Sequence, residues 1–312
     1  MNYLLLLLGL LGLWFGTELT IRGALSLSKR VGLSEFVVGI VILAVGSDLP
    51  ELAIAIDVAI KGIGNGGASD VVVGSALGST LGQIGFVLGI AGLMATLMLR
   101  RRTVFRHGLF LLGSIVLLAL FARDGDITRV EGIILILVYV VYLMLVIADS
   151  ANYQNMVEGA PPDGLAVSIV LLLVGLVIVT ISADVTVEGA INVATSLGVS
   201  EAVVAILIVG LGTSLPELSI SIAAVLKGRE RMSVGNLIGS NIFDTLVPIG
   251  AAATISGVSF SSGFRNVELP FLFVLTTVVL LLFLRKMGIR KLQAVIVLAM
   301  YCGYAGFKIA GA

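Results

Sequence analysis

An all-α polytopic membrane protein, with about ten transmembrane helices in two inverted five-helix repeats, is the fold this sequence predicts. Three observations predict it: a strongly apolar composition, punctuation that cuts the chain into segments of spanning length, and a motif that occurs twice in matching surroundings. Of 312 residues, 58% are hydrophobic and only 12% charged, with a mean hydropathy of +1.16. So little polar surface cannot cover a soluble domain.

Crossing a hydrocarbon core of about 30 Å takes about 20 apolar residues of helix. Charges, glycines and prolines mark such segments at residues 2–27, 34–60, 69–98, 104–122, 130–148, 165–195, 201–226, 232–258, 267–285 and 290–310. The leading "MNYLLLLLGLLGLWFG" has no basic start and no small-residue cleavage site, so it reads as the first span and not as a removable signal. Cys302 is the single cysteine, which excludes an intramolecular disulfide, and it is expected as a small buried packing residue of the last span.

Cytoplasmic loops collect Lys and Arg. With the N-terminus outside, the inner loops hold Lys29, Arg30, Arg100, Arg101, Arg102, Arg106, Lys227, Arg229, Arg231, Arg285, Lys286, Arg290 and Lys291. The outer ones hold Lys61, Arg123, Arg129, Arg265 and Lys308. Both termini are therefore expected outside a cell membrane, and residues 149–164, with Pro161 and Pro162, form a cytoplasmic linker between halves 1–148 and 165–312. The basic "LRRRTVFRH" reports topology and anionic lipid, not nucleic acid.

Residues Glu18 to Glu51 lie over Asp184 to Glu217 without a gap, at an offset of 166, and share Thr20 with Thr186, Gly23 with Gly189 and "LPEL" with "LPEL". Further on, "GSALGSTLGQIG" from Gly74 matches "GNLIGSNIFDTLVPIG" from Gly235 at an offset of 161. Five spans per copy is an odd number, so the second copy enters from the opposite side. Inverted repeats with interrupted helices are how many secondary transporters build a midplane site open alternately to either face.

The repeated motif, "VGSDLPEL" and "LGTSLPEL", places Glu51 and Glu217 inside apolar spans. Pro50 and Pro216 lack an N–H and press on the carbonyls of Gly46 and Gly212, so each helix should break there and turn backbone oxygens inward. Hydroxyls stand beside the breaks at Ser47, Thr213 and Ser214, and a further carboxylate at Asp48. An ionised carboxylate at the bilayer centre costs about 2.5 to 3.5 kcal/mol on insertion scales, and two at one depth repel. Cations relieve both effects. Calcium fits best, because it takes six to eight oxygens in flexible geometry, and no thiol or imidazole is near to favour zinc or copper. In the third and eighth spans, Ser79 with Gln83 and Ser240 with Asp244 lie four apart, each pair on one helical face.

With these residues the chain resembles the calcium/cation antiporter superfamily, close to its prokaryotic sodium/calcium exchangers, over nearly its whole length. "GTSLPE" with "GSNIFD" is the specific combination; "GSDLPE" with "GSTLGQ" matches less closely. The resemblance implies that Glu51 and Glu217 bridge calcium and sodium. It carries the flanking hydroxyl positions onto Ser47 and Asp48 and onto Thr213 and Ser214, the backbone carbonyl ligands onto Ala44 and Gly210, and the remaining polar ligands onto Ser79, Ser240, Gln83 and Asp244. Asp48 stands where a serine is expected, and Gln83 where an asparagine is common. Proton-coupled members typically carry an asparagine after the motif glycine, and neither copy here does, which favours sodium.

The expected function is a sodium-driven calcium antiporter working by alternating access, acting as a monomer, with calcium, sodium and the bilayer as its partners and no cofactor. A proton/calcium exchanger, an exchanger of another cation and a passive cation channel are the alternatives. No enzyme is expected, because no serine or cysteine stands near a base. Among the other acids, Glu35 and Glu201 are expected near serine caps, Ser34 and Ser200. Glu18 is expected to pair with Arg22 and Asp57 with Lys61, while Glu131, Glu188 and Glu268 are expected at the interface. His107 is expected at a shallow position.

Overall fold

The structure, a computed structural model, describes residues 2–61, 67–149, 163–197, 212–286 and 288–310. Among them, eight helices are long and apolar enough to cross a membrane, and one bent pair makes a ninth span. In chain order these are α1 (Asn2–Val31), the bent pair α2 (Glu35–Ser47) and α3 (Leu49–Lys61), α4 (Ser69–Met94), α5 (Arg101–Phe121), α6 (Arg129–Ala148) and α7 (Leu165–Ser196). There follow α8 (Leu215–Leu226), α9 (Glu230–Ser256), α10 (Leu269–Lys286) and α11 (Lys291–Ala310). The short α8 is the second part of the seventh expected span; residues 198–211, including Gly210, Ser200 and Glu201, lie outside the described residues.

The bend has the causes its sequence supplies. Ser34 caps α2 by accepting the Val37 N–H at 3.3 Å. The helix then widens into a π turn at Gly39–Leu43 and gives way at Asp48, and α3 leaves at 40°. Pro50, with no N–H to return to Gly46, follows the break directly. In α8 the equivalent Pro216 stands in the first turn, behind Ser214 at the cap position. A second π turn, Gln83–Val87, interrupts α4.

Burial ranks the helices. In the most apolar stretch of each helix, about 72% of α4 and 78% of α9 is buried, against 33% or less for α1, α5, α6, α7 and α11, so α4 and α9 form the centre and these five lie outside them. The apolar core divides into a large cluster built on α4, α5, α6, α9, α10 and α11 and a smaller one that joins α1 to α7.

That α1–α7 pair is antiparallel, and its contacts come in reciprocal sets. A Cβ on Gly9 would lie 2.4 Å from Thr186 Oγ1, and one on Gly175 would lie 2.5 Å from Thr20 Oγ1. Gly23 sits likewise on Leu172, and Gly189 on Leu6. Gly9 and Gly175, Thr20 and Thr186, Gly23 and Gly189, and Leu6 and Leu172 are each 166 residues apart, the offset of the repeat. Contacts that exchange partners in this way are those of a two-fold interface, and small residues at the crossing let the backbones approach.

Two short antiparallel ribbons tie loops of the halves together. β1 (Leu97–Met98) pairs with β4 (Gly288–Ile289), and β2 (Asp126–Ile127) with β3 (Val258–Ser259).

Several charged residues depart from their expected places. Glu18 does not pair with Arg22; it reaches Lys227 at 2.7 Å, while Arg22 holds Asp163 at 2.7 Å, because chain folding brings longer-range partners to α1. Asp57 and Lys61 pair as expected, at 2.8 Å. His107, near the start of α5, is buried against its neighbours, its Nδ1 2.9 Å from the Tyr142 hydroxyl. Glu268 is buried and paired with Lys308 at 2.5 Å, and Glu131 closes a capping box with Thr128. Cys302 is exposed, since α11 turns Val297, Tyr301 and Ala305 to the core and Cys302 falls on its outer face.

Candidate cation site

The α2–α3 break, the start of α8 and the two central helices meet around one group of buried polar side chains. Ser47 and Asp48 stand in the α2–α3 break, and Glu51 in the first turn of α3. Ser214 stands at the cap position of α8, with Thr213 before it and Glu217 in its first turn. Ser79 and Gln83 project from α4, the latter opening the π turn, and Ser240 and Asp244 from the middle of α9. Apart from half-buried Thr213, all nine of these side chains are buried.

The hydrogen bonds repeat the exchange seen in α1 and α7. Ser240 donates to both oxygens of Asp48, at 2.5 Å to Oδ2. At the matching place in the other half, Ser79 and Ser214 lie 3.5 Å apart. Ser79 and Ser240 are 161 residues apart and Asp48 and Ser214 are 166 apart, the two repeat offsets. Gln83 Nε2 donates to Ser79 Oγ at 3.0 Å and to Asp244 Oδ2 at 3.1 Å. Gln83 and Asp244 are themselves counterparts, so the relation between the halves passes between them. The Ala44 carbonyl, buried behind the break, accepts the Asp48 N–H at 3.1 Å and the Ser47 hydroxyl at 3.3 Å.

Electrostatically the group is all one sign. Asp48, Glu51, Glu217 and Asp244 lie within reach of one another's charge. Several of their oxygens are buried with no donor: Glu51 Oε2, both oxygens of Glu217, and Asp244 Oδ1, together with the amide oxygen of Gln83. Buried carboxylate oxygens without donors are costly unless a cation meets them. The donor set is entirely oxygen, which suits hard cations. Among the described residues no three carboxylate, imidazole or thiolate groups stand close enough to hold one metal ion between them.

The structure thus brings together nine of the side chains the sequence singled out; Thr213 is half-buried, the Ala44 carbonyl is taken up by Asp48 and Ser47, and Gly210 lies outside the described residues. It adds one that sequence reasoning missed. The Tyr139 hydroxyl of α6 is buried without a partner, close enough to feel the charges of Asp48 and Asp244, and its ring packs edge-on against Phe243 at 5.3 Å. The only signal in "IILILVYVVYLML" was an aromatic hydroxyl in mid-span, which needs a polar neighbour when buried.

A multi-pass helical bundle with a broken helix and a buried, all-oxygen anionic cluster beside the break has the build of a secondary cation transporter. The chain belongs to the sodium/calcium exchanger protein family, whose model matches residues 1–148 and 167–310. It is 26% identical to the sodium/calcium exchanger MaX1 of Methanosarcina acetivorans over 97% of both chains. It is 30% identical to an uncharacterized membrane protein of Methanocaldococcus jannaschii, over 95% of this chain and 94% of that one. The solved structure of the sodium-calcium exchanger NCX_Mj, soaked with sodium and strontium, superposes with a TM-score of 0.82 at 27% identity, covering 98% of this chain and 97% of that chain. The protein is accordingly a multi-pass cation/calcium antiporter of a transporter family.

Proposed function

We propose that the protein exchanges calcium for sodium by alternating access, with Glu51 and Glu217 as the carboxylates that both ions share. Residues 1–148 and 165–312 act as inverted halves joined by the cytoplasmic linker 149–164, and both termini face outside the cell membrane. The protein works as a monomer. Asp48, Asp244, Ser47, Thr213, Ser214, Ser79, Ser240, Gln83 and the carbonyls of Ala44 and Gly210 complete the ion-binding set.

The observation that carries the reading is the placement of Glu51 and Glu217. They occupy matched positions in the first turns of α3 and α8, they are buried, and Glu51 Oε2 and both oxygens of Glu217 lack donors. A divalent ion neutralises two such charges at once, and sodium ions can do so singly, so the two compete for one place. The reciprocal packing of α1 on α7 supports the inverted relation of the halves, which lets one site open to either face.

Calcium flux in proteoliposomes under separately imposed sodium and pH gradients tests the proposal. Uptake that requires an opposing sodium gradient supports it. Uptake driven by a proton gradient alone replaces sodium with protons as the coupling ion, and uptake that needs neither makes the protein a channel.

A further inference from the structure

We propose that the hairpin of α8 and α9 holds a second cation position, a resting place for one sodium ion between the central carboxylates and the loop at 227–229. The position depends on Glu217 acting in ion binding as proposed above, and it adds three residues outside the set named there: Ser221, Asn236 and Ser233.

Two polar stripes face each other in the hairpin. On α9, Ser233, Asn236, Ser240 and Asp244 follow one another at spacings of three, four and four, which at about 3.6 residues per turn keeps all of them on one face. On α8, Ser221 stands one turn beyond Glu217 on the same face. The Asn236 amide donates to Ser221 Oγ at 3.3 Å, which fixes how the stripes meet. A tight turn at 227–229, with Gly228 at φ 68° or close to it on the left-handed side, joins the helices, so they run antiparallel. With 221 level with 236, Glu217 is level with Ser240 and Ala224 with Ser233. The polar stripe therefore leads from the cation site toward the loop, over the seven residues from Ser240 to Ser233, roughly 10 Å at about 1.5 Å per residue.

The stripe is short of donors. Ser221, Ser233, Asn236 and Glu217 are all fully buried, yet Ser233 Oγ, Asn236 Oδ1 and both oxygens of Glu217 have no hydrogen-bond partner. Such oxygens are costly in an interior unless something meets them. Water would serve the neutral oxygens and leave the carboxylate charge uncompensated, whereas a cation serves both. A single carboxylate matches a single positive charge, and its two oxygens with one amide and two hydroxyl oxygens fall short of the six to eight that calcium takes. The set suits sodium with part of its hydration water.

The other half has no such stripe. Under the repeat, Ser221, Asn236 and Ser233 correspond to Ala55, Ser75 and Val72, of which only the half-buried Ser75 is polar. With the halves inverted as proposed, the two hairpins lead to opposite faces. Sodium arriving along α8 and α9 then finds a waiting position, one turn from Glu217, that sodium arriving along the other hairpin lacks.

Equilibrium binding of radioactive sodium to the purified full chain in saturating calcium tests this. Calcium displaces sodium from the central carboxylates, so the expected remainder in the parent is one sodium per chain. Asn236→Leu with Ser233→Ala should lose that remainder and keep the sodium that calcium displaces, while Ser75→Ala, at the counterpart position, should keep both. Where Asn236→Leu does not give monodisperse protein, Ser221→Ala with Ser233→Ala removes both hydroxyls and serves in its place. A parent with no calcium-resistant sodium, or a remainder that survives in these variants, overturns the proposal. Failure of calcium to displace any sodium from the parent tells against carboxylates shared by the two ions and not against the second position, which is then decided by whether the variants bind one sodium fewer.

Discussion

Ser240 and Asp48 make the closest polar contact between the two halves of the cation site, and a double-mutant cycle on them measures what that contact contributes. Ser240 Oγ reaches both carboxylate oxygens of Asp48, and Ser47 donates to Asp48 Oδ1 at 3.3 Å. Hydrogen bonds between membrane helices average about 0.6 kcal/mol in such cycles and reach about 1.7, whereas one to an ionised group contributes roughly 1.5–3 kcal/mol. Ser240→Ala should therefore destabilise the parent by roughly 1.5–3 kcal/mol if Asp48 is a carboxylate with its charge, and by only a few tenths in the Asp48→Ser background. Unfolding in dodecyl sulfate, followed by circular dichroism for the four proteins, gives the coupling energy. A coupling near 0.6 kcal/mol marks Asp48 as protonated in the resting protein. Additivity within about 0.5 kcal/mol means that the two side chains do not interact, and it refutes the placement of Asp48 in the site. Transport by Asp48→Ser then separates its roles: a changed pH profile indicates a shared proton, and a changed sodium dependence an additional cation. A profile unchanged in both removes Asp48 from transport altogether.

Glu51→Gln and Glu217→Gln keep volume and remove charge, so each should abolish calcium flux while leaving thermal unfolding near the parent's; near-normal flux in either ends its assignment. Gly9→Val and Gly175→Val should each lower stability by about 1–3 kcal/mol or more, because both would press a side chain into the opposing helix; one tolerated substitution would show that the α1–α7 register is wrong. Single cysteines at Asn65 and Asn155, both outside the described residues, should label from opposite faces in a Cys302→Ala background, with Asn65 reacting from outside. The hydrogen bonds from Arg22, and after them the charges of Arg22 and Arg30, hold the Asp163 carboxyl below its ordinary value. A carboxyl depressed in the folded state stabilises above its unfolded pKa of about 3.9 and loses that contribution as pH falls through the lower folded value. Asp163→Asn should accordingly flatten the acid limb of a thermal-stability profile below about pH 4 and leave neutral pH little changed apart from the lost ion pair.

Spans, the break at Asp48 and the buried carboxylates were legible in the sequence because each has a local cause. A bilayer demands runs of apolar residues, Pro50 interrupts a helix by what it lacks, and Glu51 has no local partner. The offset of 166 between Gly23 and Gly189 was legible as a repeat, and it anticipated the reciprocal contacts of α1 and α7 without locating them. What depends on long-range placement was not legible. Nothing near Arg22 announces Asp163, and nothing in the last span says which face Cys302 occupies, since a helix packed on one side leaves three or four registers open to a lone small residue. Tyr139 was hidden for a related reason: lipid-facing and site-facing positions of α6 carry equally apolar neighbours, and only the approach of α9 distinguishes them.

The places where the two copies differ follow from the same geometry. In a two-fold arrangement most residues meet a different residue of the other half, but a residue on the axis meets its own counterpart. Gln83 and Asp244 are that pair, 3.1 Å apart. Acidic side chains at both positions would set two carboxylates against each other, each lacking a donor, in a medium that screens them poorly. An amide on one side converts the repulsion into a hydrogen bond, with Gln83 as donor and Asp244 as acceptor. Off the axis no such restriction applies. Asp48 meets Ser240 and Ser214 meets Ser79, so a carboxylate at 48 finds a hydroxyl donor where its counterpart at 214 finds another hydroxyl. Each half then supplies two acids, Asp48 with Glu51 and Glu217 with Asp244; Glu51 and Glu217 superpose under the repeat, while Asp48 and Asp244 do not. The four acidic side chains are shared equally between the halves while their arrangement is not symmetric, so the two sides of the candidate site differ although they are built from one repeated plan.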